Sequence, residues 1–227
     1  MATTRTRLIP AALIVLAIVP VVAGVMRVAG LLSGTTPAGA ERFFEQPLPV
    51  TLHILAVIPY ALLGALQFAP GLRCRRWHRV SGLSLVPLGL VAALTGVWMA
   101  CVYPWPPGDG EALYVMRLVV GTAMTLSIVR GSVALVRHDY AEHGAWMLRG
   151  YALGMGAGTQ VLTHLPWFVF VDRSPGETSR AVMMGLAWIL NALLAEFVIR
   201  RRNAAPAAGR SHRSQAPWRQ RFAERQA

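Results

Sequence analysis

Long runs of apolar residues alternate with short polar segments along this chain. Six such runs cover residues 8–32, 48–71, 80–105, 113–136, 144–171 and 179–200. Each run is long enough for a helix of about 20 residues, the length that crosses the hydrocarbon core of a bilayer. Because a helix satisfies its own backbone hydrogen bonds, it is the form in which such a run enters lipid. The pattern predicts an all-α protein, a six-span transmembrane helical bundle.

The composition agrees with a membrane protein. Hydrophobic residues make up 55% of the 227 residues and charged residues only 14%, whereas soluble domains carry charge on about a quarter of their residues. The last segment, residues 201–227, is rich in arginine and lacks apolar periodicity, so we expect a basic, disordered tail that is attracted to anionic lipid headgroups. We expect no nucleic-acid partner, because loop arginines account for the net charge of +12.

Loop charge alternates in sign and predicts the orientation of the bundle. Arginines mark one set of loops: Arg5, Arg7, Arg73, Arg75, Arg76, Arg79, Arg137 and Arg149. Acidic residues mark the opposite loops, where the only nearby bases are Arg42, Arg173 and Arg180: Glu41, Glu45, Asp109, Glu111, Asp172 and Glu177. Arginine-rich loops stay in the cytoplasm. We therefore expect a bacterial inner-membrane protein with both termini in the cytoplasm, whose first apolar run is an anchor that is not cleaved.

Four histidines lie within or at the ends of the predicted spans. His53 and His164 fall toward the outer ends of spans two and five, and His78 and His143 begin spans three and five at the cytoplasmic side. Ionisable groups in a membrane are costly and are a signal of function. The positions indicate an outer pair, His53 with His164, and an inner pair, His78 with His143 or with His138 of the preceding loop.

Three of these histidines share a helix face with small or polar residues, at about 100° per residue. The faces comprise His53, Tyr60, Gly64 and Gln67; His78, Gly82, Gly89 and Gly96; and His143, Gly150 and Gly154. One interpretation is close helix packing, which glycine permits. The other is a b-type haem, which needs imidazole ligands and a surface free of side chains beside the ring. The pattern alone leaves both open.

Other polar residues lie inside the spans, namely Gln67, Arg130, Arg149 and Glu196. Arg130 and Glu196 both fall in the inner half of their spans, where an ion pair between them would offset much of the cost of burial. Glu196 could equally pair with Arg200, one turn further along the same helix. Arg27 and Arg117 lie near enough to the outer ends to extend to the interface.

Three sequence stretches resemble a known family. They are His53 with Gly64-Ala-Leu-Gln67-Phe68, then Arg73-x-x-x-Trp77-His78-Arg79-x-x-Gly82, and His143-x-x-Trp146-Met147-x-Arg149-x-Tyr151. Over residues 48–200 the chain is similar to the prokaryotic multi-pass membrane proteins grouped as domain of unknown function 2306. The resemblance implies a helical bundle and directs attention to His53, His78, His143 and Arg149. His164 is not part of the shared pattern.

Our functional hypothesis is a haem-b-type membrane redox or electron-transfer protein. The proposed haem ligands are His53, His78, His143 and His164, and the layout resembles the cytochrome b561 type only in the depth of its histidines. A transporter of small molecules, coupled or not to protons, and a non-catalytic sensor or assembly factor are the alternatives. No catalytic set is recognisable. The expected partner is the lipid bilayer, and association with further copies of the chain is left open.

Overall fold

The computed structural model describes residues 2–35, 39–69, 71–72, 76–171 and 173–204, and every regular element in that part is a helix. The predicted all-α class is therefore confirmed. The helices are α1 (Ala2–Ser33), α2 (Glu41–Glu45), α3 (Pro47–Leu66), α4 (Arg76–Val102), α5 (Glu111–Val136), α6 (Tyr140–Gly154), α7 (Gly156–Phe170) and α8 (Glu177–Ala204).

Five of these helices, α1, α3, α4, α5 and α8, are long and apolar enough to cross a membrane. The remaining predicted span, the fifth, is divided between α6 and α7, which have 15 residues each. We call the end of the bundle with the α4–α5 loop the Asp109 end, and the end with the α5–α6 loop the His143 end. The short helix α2 belongs to the Asp109 end, just before α3 begins.

By its contacts the chain divides into two units, Met1–Ala195 and Glu196–Ala227. The described part of the second unit is the end of α8, where the Arg201 guanidinium lies 4.9 Å from the centre of the Phe197 ring. The first four residues of the predicted disordered tail, 201–204, are helical, because α8 continues through them. Residues 205–227, and with them most of that prediction, lie outside the described residues.

Pairwise helix packing builds the first unit. The largest contacts join α3 to α4, α5 to α6, α4 to α5 and α1 to α3, and α1 also packs against α7. The core between them contains Tyr60, Met124, Ile128 and Tyr151, all of which are buried. Association of helices in lipid depends on such close van der Waals packing, because lipid is as apolar as the side chains.

The predicted fifth span is interrupted at Met155. A Cβ atom on Gly156 would lie only 2.2 Å from the indole of Trp188, and one on Gly158 would lie 2.6 Å from the main-chain oxygen of Leu16. Both glycines therefore allow α8 and α1 to approach α7 closely. The interruption lies at a residue flanked by glycines, and the helix α7 is continuous through Pro166.

Asn191 of α8 bridges this interruption. In a regular helix the Ala152 carbonyl accepts from the N–H of residue 156; here it also lies 3.0 Å from Asn191 Nδ2, which donates to it. The Thr159 hydroxyl donates in turn to Asn191 Oδ1, at 2.9 Å. One side chain thus ties together the two helices on either side of Met155, as expected where neighbouring helices satisfy the polar groups that a break exposes.

Candidate functional site

His53 faces the neighbouring helix α4. Its Nδ1 lies 2.9 Å from the Ala92 carbonyl oxygen and 3.1 Å from Thr95 Oγ1. The Thr95 hydroxyl donates to the main-chain carbonyls of Val91 and Ala92. Because a carbonyl oxygen only accepts, Nδ1 of His53 carries the proton, and Nε2 keeps its lone pair. The nitrogen available to a ligand or a proton is therefore Nε2.

Two tyrosines fill the small-residue faces between His53 and the His143 end. The ring centres of Tyr60 and Tyr151 lie 5.8 Å apart. A Cβ on Gly64 would lie 2.2 Å from the Tyr151 ring, and one on Gly89 would lie 2.6 Å from the Tyr60 ring. These glycines are required by aromatic packing. At Gly64 and Gly89 the faces therefore offer no free surface for a macrocycle.

Gln67 connects α3 to α4 near the His143 end. Its Nε2 donates to the Ser81 hydroxyl at 2.8 Å and, more weakly, to the His78 carbonyl at 3.4 Å. The Ser81 hydroxyl donates to the Trp77 carbonyl at 2.7 Å. The polar group that the sequence predicted at Gln67 is therefore engaged in holding the start of α4, the segment that carries Trp77 and His78.

His143 and its neighbours form a second polar cluster, at the His143 end. The His143 Nδ1 donates to the Gly131 carbonyl of α5 at 2.8 Å. Trp146, one turn further along α6, lies beneath two guanidiniums, with Arg130 5.0 Å and Arg149 4.5 Å from its ring. Contacts of this kind, between a cation and the face of an indole, are favourable. The pairing of Arg130 with Glu196 stays a prediction.

His164 makes its contacts within α7. Its Nδ1 donates to the Gln160 carbonyl at 2.7 Å, and its ring stacks on Phe168 with ring centres 6.3 Å apart. Helix α7 packs against α1 and α6, whereas His53 faces α4. Among the described residues, no group of three or more His, Cys, Asp or Glu side chains is placed to hold a metal ion. The assignment of His53, His78, His143 and His164 as haem ligands stays a prediction.

A cluster that the sequence did not single out lies at the Asp109 end. The side chain of Asp109 is only 1% exposed. Its Oδ2 lies 2.5 Å from the Arg117 guanidinium of α5, and its Oδ1 lies 2.7 Å from Nε of Arg180 of α8. Gly108 precedes it in the left-handed region, with φ of +81°, close to the Pro175 carbonyl. That turn directs the carboxylate inward, between two helices.

Two further arginines complete this cluster. The guanidiniums of Arg27 on α1 and Arg42 on α2 lie 4.7 Å and 4.5 Å from the ring centre of Phe43. Burial lowers the pKa of the Arg42 guanidinium, and the Asp109 carboxylate opposes that change. The other three guanidiniums lower the pKa of Arg42 further, because like charges close together disfavour each other. We call Arg27, Arg42, Arg117 and Arg180, with Asp109, the arginine cap.

The cap contacts α3 and α4 at the Asp109 end of the bundle. Phe43 packs edge-on against Tyr103, with ring centres 5.3 Å apart. The Tyr103 hydroxyl donates to the Gln46 carbonyl at 2.6 Å and accepts from the Val50 N–H at 3.3 Å. Val50 lies one turn before His53 on α3. The arginine cap therefore lies at the end of the same helix pair that holds His53.

The cap was missed because its members are scattered along the chain. Sequence reasoning used Asp109 as a loop charge and treated Arg27 and Arg117 as side chains that extend to the interface. In the structure Arg117 pairs with Asp109. A short-range signal existed in the separation of eight positions from Asp109 to Arg117, across a loop and the first turns of a helix, but it could not indicate Arg42 or Arg180.

The fold and these clusters define a helical integral membrane protein. Residues 50–199 match the family described as predicted membrane protein DUF2306. The match covers more than half of the chain, so the protein belongs to that family, as the resemblance predicted. Comparison with curated proteins and with solved structures found no match.

Proposed function

We propose that the protein is a membrane carrier of small anions whose entry site is the arginine cap. The observation that carries this proposal is a cluster of four guanidiniums around one buried carboxylate: Arg117 and Arg180 form ion pairs with Asp109, and Arg27 and Arg42 lie over the Phe43 ring beside them. Guanidinium groups bind carboxylates and phosphates through paired, charge-assisted hydrogen bonds. Asp109 pairs with Arg117 of α5 and Arg180 of α8. Arg27 and Arg42 lie on α1 and α2, and we assign these two to the anion.

Acidic side chains border the cap and are held by other groups as well. The Glu177 carboxylate lies against the main chain at Gly110, and Glu41 accepts from the N–H of Gly39 at 3.0 Å. Hydrogen bonds to main-chain N–H groups lower the pKa of Glu41 most, and the Arg42 guanidinium lowers it further. The Glu41 carboxylate is therefore charged, and an anion in the cap competes with it for Arg42.

Polar groups continue from the cap along α3. His53, Tyr60 and Gln67 follow each other at intervals of seven residues, which puts them on one face over about 21 Å of helix. His53 contacts Thr95 and Gln67 contacts Ser81, both on α4. The packed rings of Tyr60 and Tyr151 close this face at mid-depth. A carrier needs such a closure, because it must never open to both sides at once.

We further place the protein in a bacterial inner membrane, with the termini in the cytoplasm and the arginine cap outside it. This orientation rests on the arginine-rich loops at the His143 end. In this orientation the cap meets anions from the outer medium.

The anion site is tested with phosphate and acetate as probes, added to the purified protein at constant ionic strength. The wild-type protein is expected to show a saturable rise in its thermal unfolding midpoint with at least one probe. Loss of a charge-assisted hydrogen bond costs about 1.5 to 3 kcal/mol. Arg42→Gln is therefore expected to weaken binding by about tenfold or more.

Arg173→Gln is the matched control, because Arg173 is an exposed arginine at the same end of the bundle but outside the cap. It is expected to bind the probes like the wild type, and proteoliposomes with either protein are expected to take up the probe that binds. An equal loss of affinity for the probes in both variants would mean that general surface charge, and not the cap, binds them. A wild-type midpoint that neither probe moves would overturn the proposal.

A haem-b redox protein is the second candidate, and the histidine geometry is the observation that favours it. His53 and His143 each donate to a main-chain carbonyl through Nδ1, which fixes the ring and leaves Nε2 for a metal, as is usual for histidines that bind metals. The filled glycine faces at Gly64 and Gly89 argue against it. Bound haem would supply one-electron chemistry, and these histidines would hold its iron.

Visible spectra of oxidised and dithionite-reduced protein distinguish this candidate. A low-spin haem is expected to give a shifted Soret band and sharp α and β bands on reduction, and His53→Ala or His143→Ala is expected to alter them. His138→Ala provides the control, because His138 is exposed in the α5–α6 loop. A colourless protein from haem-replete cells would eliminate the redox candidate.

A further inference from the structure

A groove opens beside the arginine cap on the outer half of α1. It has a volume of about 270 Å³ and is lined by Ala23, Met26, Arg27, Gly30 and Phe44. Four of these five residues are apolar, and Met26 is 69% exposed. Since α1 makes its helix contacts with α3 and α7, a lining residue so exposed faces the surrounding bilayer. The groove is therefore accessible from lipid.

Arg27 belongs to both the groove and the cap. Its side chain lines the groove, and its guanidinium lies over Phe43, the same ring that the Arg42 guanidinium covers. A cationic end thus adjoins an apolar trough. From Ala23 to Gly30 the trough follows seven residues of α1, a length of about 10 Å. That is room for part of one alkyl chain, and the cation at its end complements an anionic head.

We infer that the anion carried by the protein is a single-chain amphiphile with a phosphate or carboxylate head, and that it enters from the bilayer through this groove. The inference rests on the proposed function, because the arginine cap would bind the head. The chain would lie along Ala23, Met26 and Gly30, while Arg27 and Arg42 bind the head. Ligand sites generally combine such an apolar lining with a few polar groups that fix orientation.

The test uses decyl phosphate and methyl phosphate as probes, with the full chain in nanodiscs of phosphatidylcholine. Binding is followed by the thermal unfolding midpoint, and empty nanodiscs are titrated in parallel to correct for partition of decyl phosphate into lipid. Decyl phosphate is expected to bind at least about tenfold more tightly than methyl phosphate. Ala23→Trp, which fills the groove, is expected to abolish that preference while methyl phosphate binds as before.

Ala29→Trp is the matched control, because Ala29 is also exposed on α1 but does not line the groove. It is expected to keep the preference for decyl phosphate. Equal affinity for the two probes would overturn the amphiphile inference and leave the anion carrier standing, whereas binding of neither probe would overturn both. Loss of the preference in Ala29→Trp as well, or displacement of decyl phosphate by an equal amount of phosphatidylglycerol, would also overturn the single-chain assignment.

Discussion

Asp109→Asn is expected to lower the free energy of unfolding by about 2 to 4 kcal/mol, because it leaves the arginine cap without its buried counterion. The carboxylate is 1% exposed and binds two guanidiniums, which are themselves about one third exposed or less. Removing one partner of a buried pair strands the other charges, and the partial exposure of the arginines reduces the cost from its upper range. Thermal unfolding followed by tryptophan fluorescence measures the change, which we expect to be roughly 5 to 10 °C.

Asp139→Asn is the control for this substitution. Asp139 accepts from the Glu142 N–H at the start of α6, and asparagine caps a helix about as well as aspartate. Its unfolding midpoint should stay near that of the wild type. Adding Arg180→Gln to Asp109→Asn should recover part of the lost stability, because one uncompensated charge is then removed. If Asp109→Asn had the same unfolding midpoint as Asp139→Asn, the Asp109 carboxylate would not be the counterion of the cap.

Gly158→Ala is expected to separate α1 from α7 and to destabilise the bundle by about 1 to 3 kcal/mol. The added Cβ would lie 2.6 Å from the main-chain oxygen of Leu16 and 2.9 Å from its Cγ. A main-chain atom cannot rotate away as a side chain can, so the whole of α1 has to move. The lower unfolding midpoint should be accompanied by faster hydrogen exchange of the α7 amides.

Gly144→Ala gives the opposite expectation in the neighbouring helix α6. No atom lies within 4 Å of a Cβ built there, and alanine favours a helix over glycine by about 1 kcal/mol. This variant should therefore be slightly more stable than the wild type. The two substitutions add the same methyl group to helices, so their difference isolates the contact with Leu16. Two variants of equal stability would mean that α1 does not pack closely at Gly158.

The architecture could be predicted because lipid leaves few choices. A run of 20 or more apolar residues has to satisfy its backbone inside itself, so α1, α3, α4, α5 and α8 follow from hydropathy alone. The interruption at Met155 could not be predicted in this way. It accompanies contacts with Leu16 and Trp188, which are remote in sequence.

The polar residues inside the spans could be located from the sequence, but their arrangement could not be predicted. Helical phase correctly grouped His53, Tyr60 and Gln67 on one face of α3, and the structure directs that face toward α4 and Tyr151. It could not decide what filled the glycine faces, because a small residue accommodates a tyrosine ring as well as a cofactor. The arginine cap could not be predicted, because its residues are far apart in the sequence and follow no periodic pattern. They come close together only when the helices pack.

The interruption at Met155 separates two short helices that have different neighbours. Residues before it, in α6, pack chiefly against α5, and residues after it, in α7, pack chiefly against α1. Met155 itself departs from α-helical geometry, with ψ of 1°, although its N–H still donates to the Tyr151 carbonyl. Because Asn191 of α8 binds both halves there, the segment that follows α1 and the segment with His143 stay linked across the break.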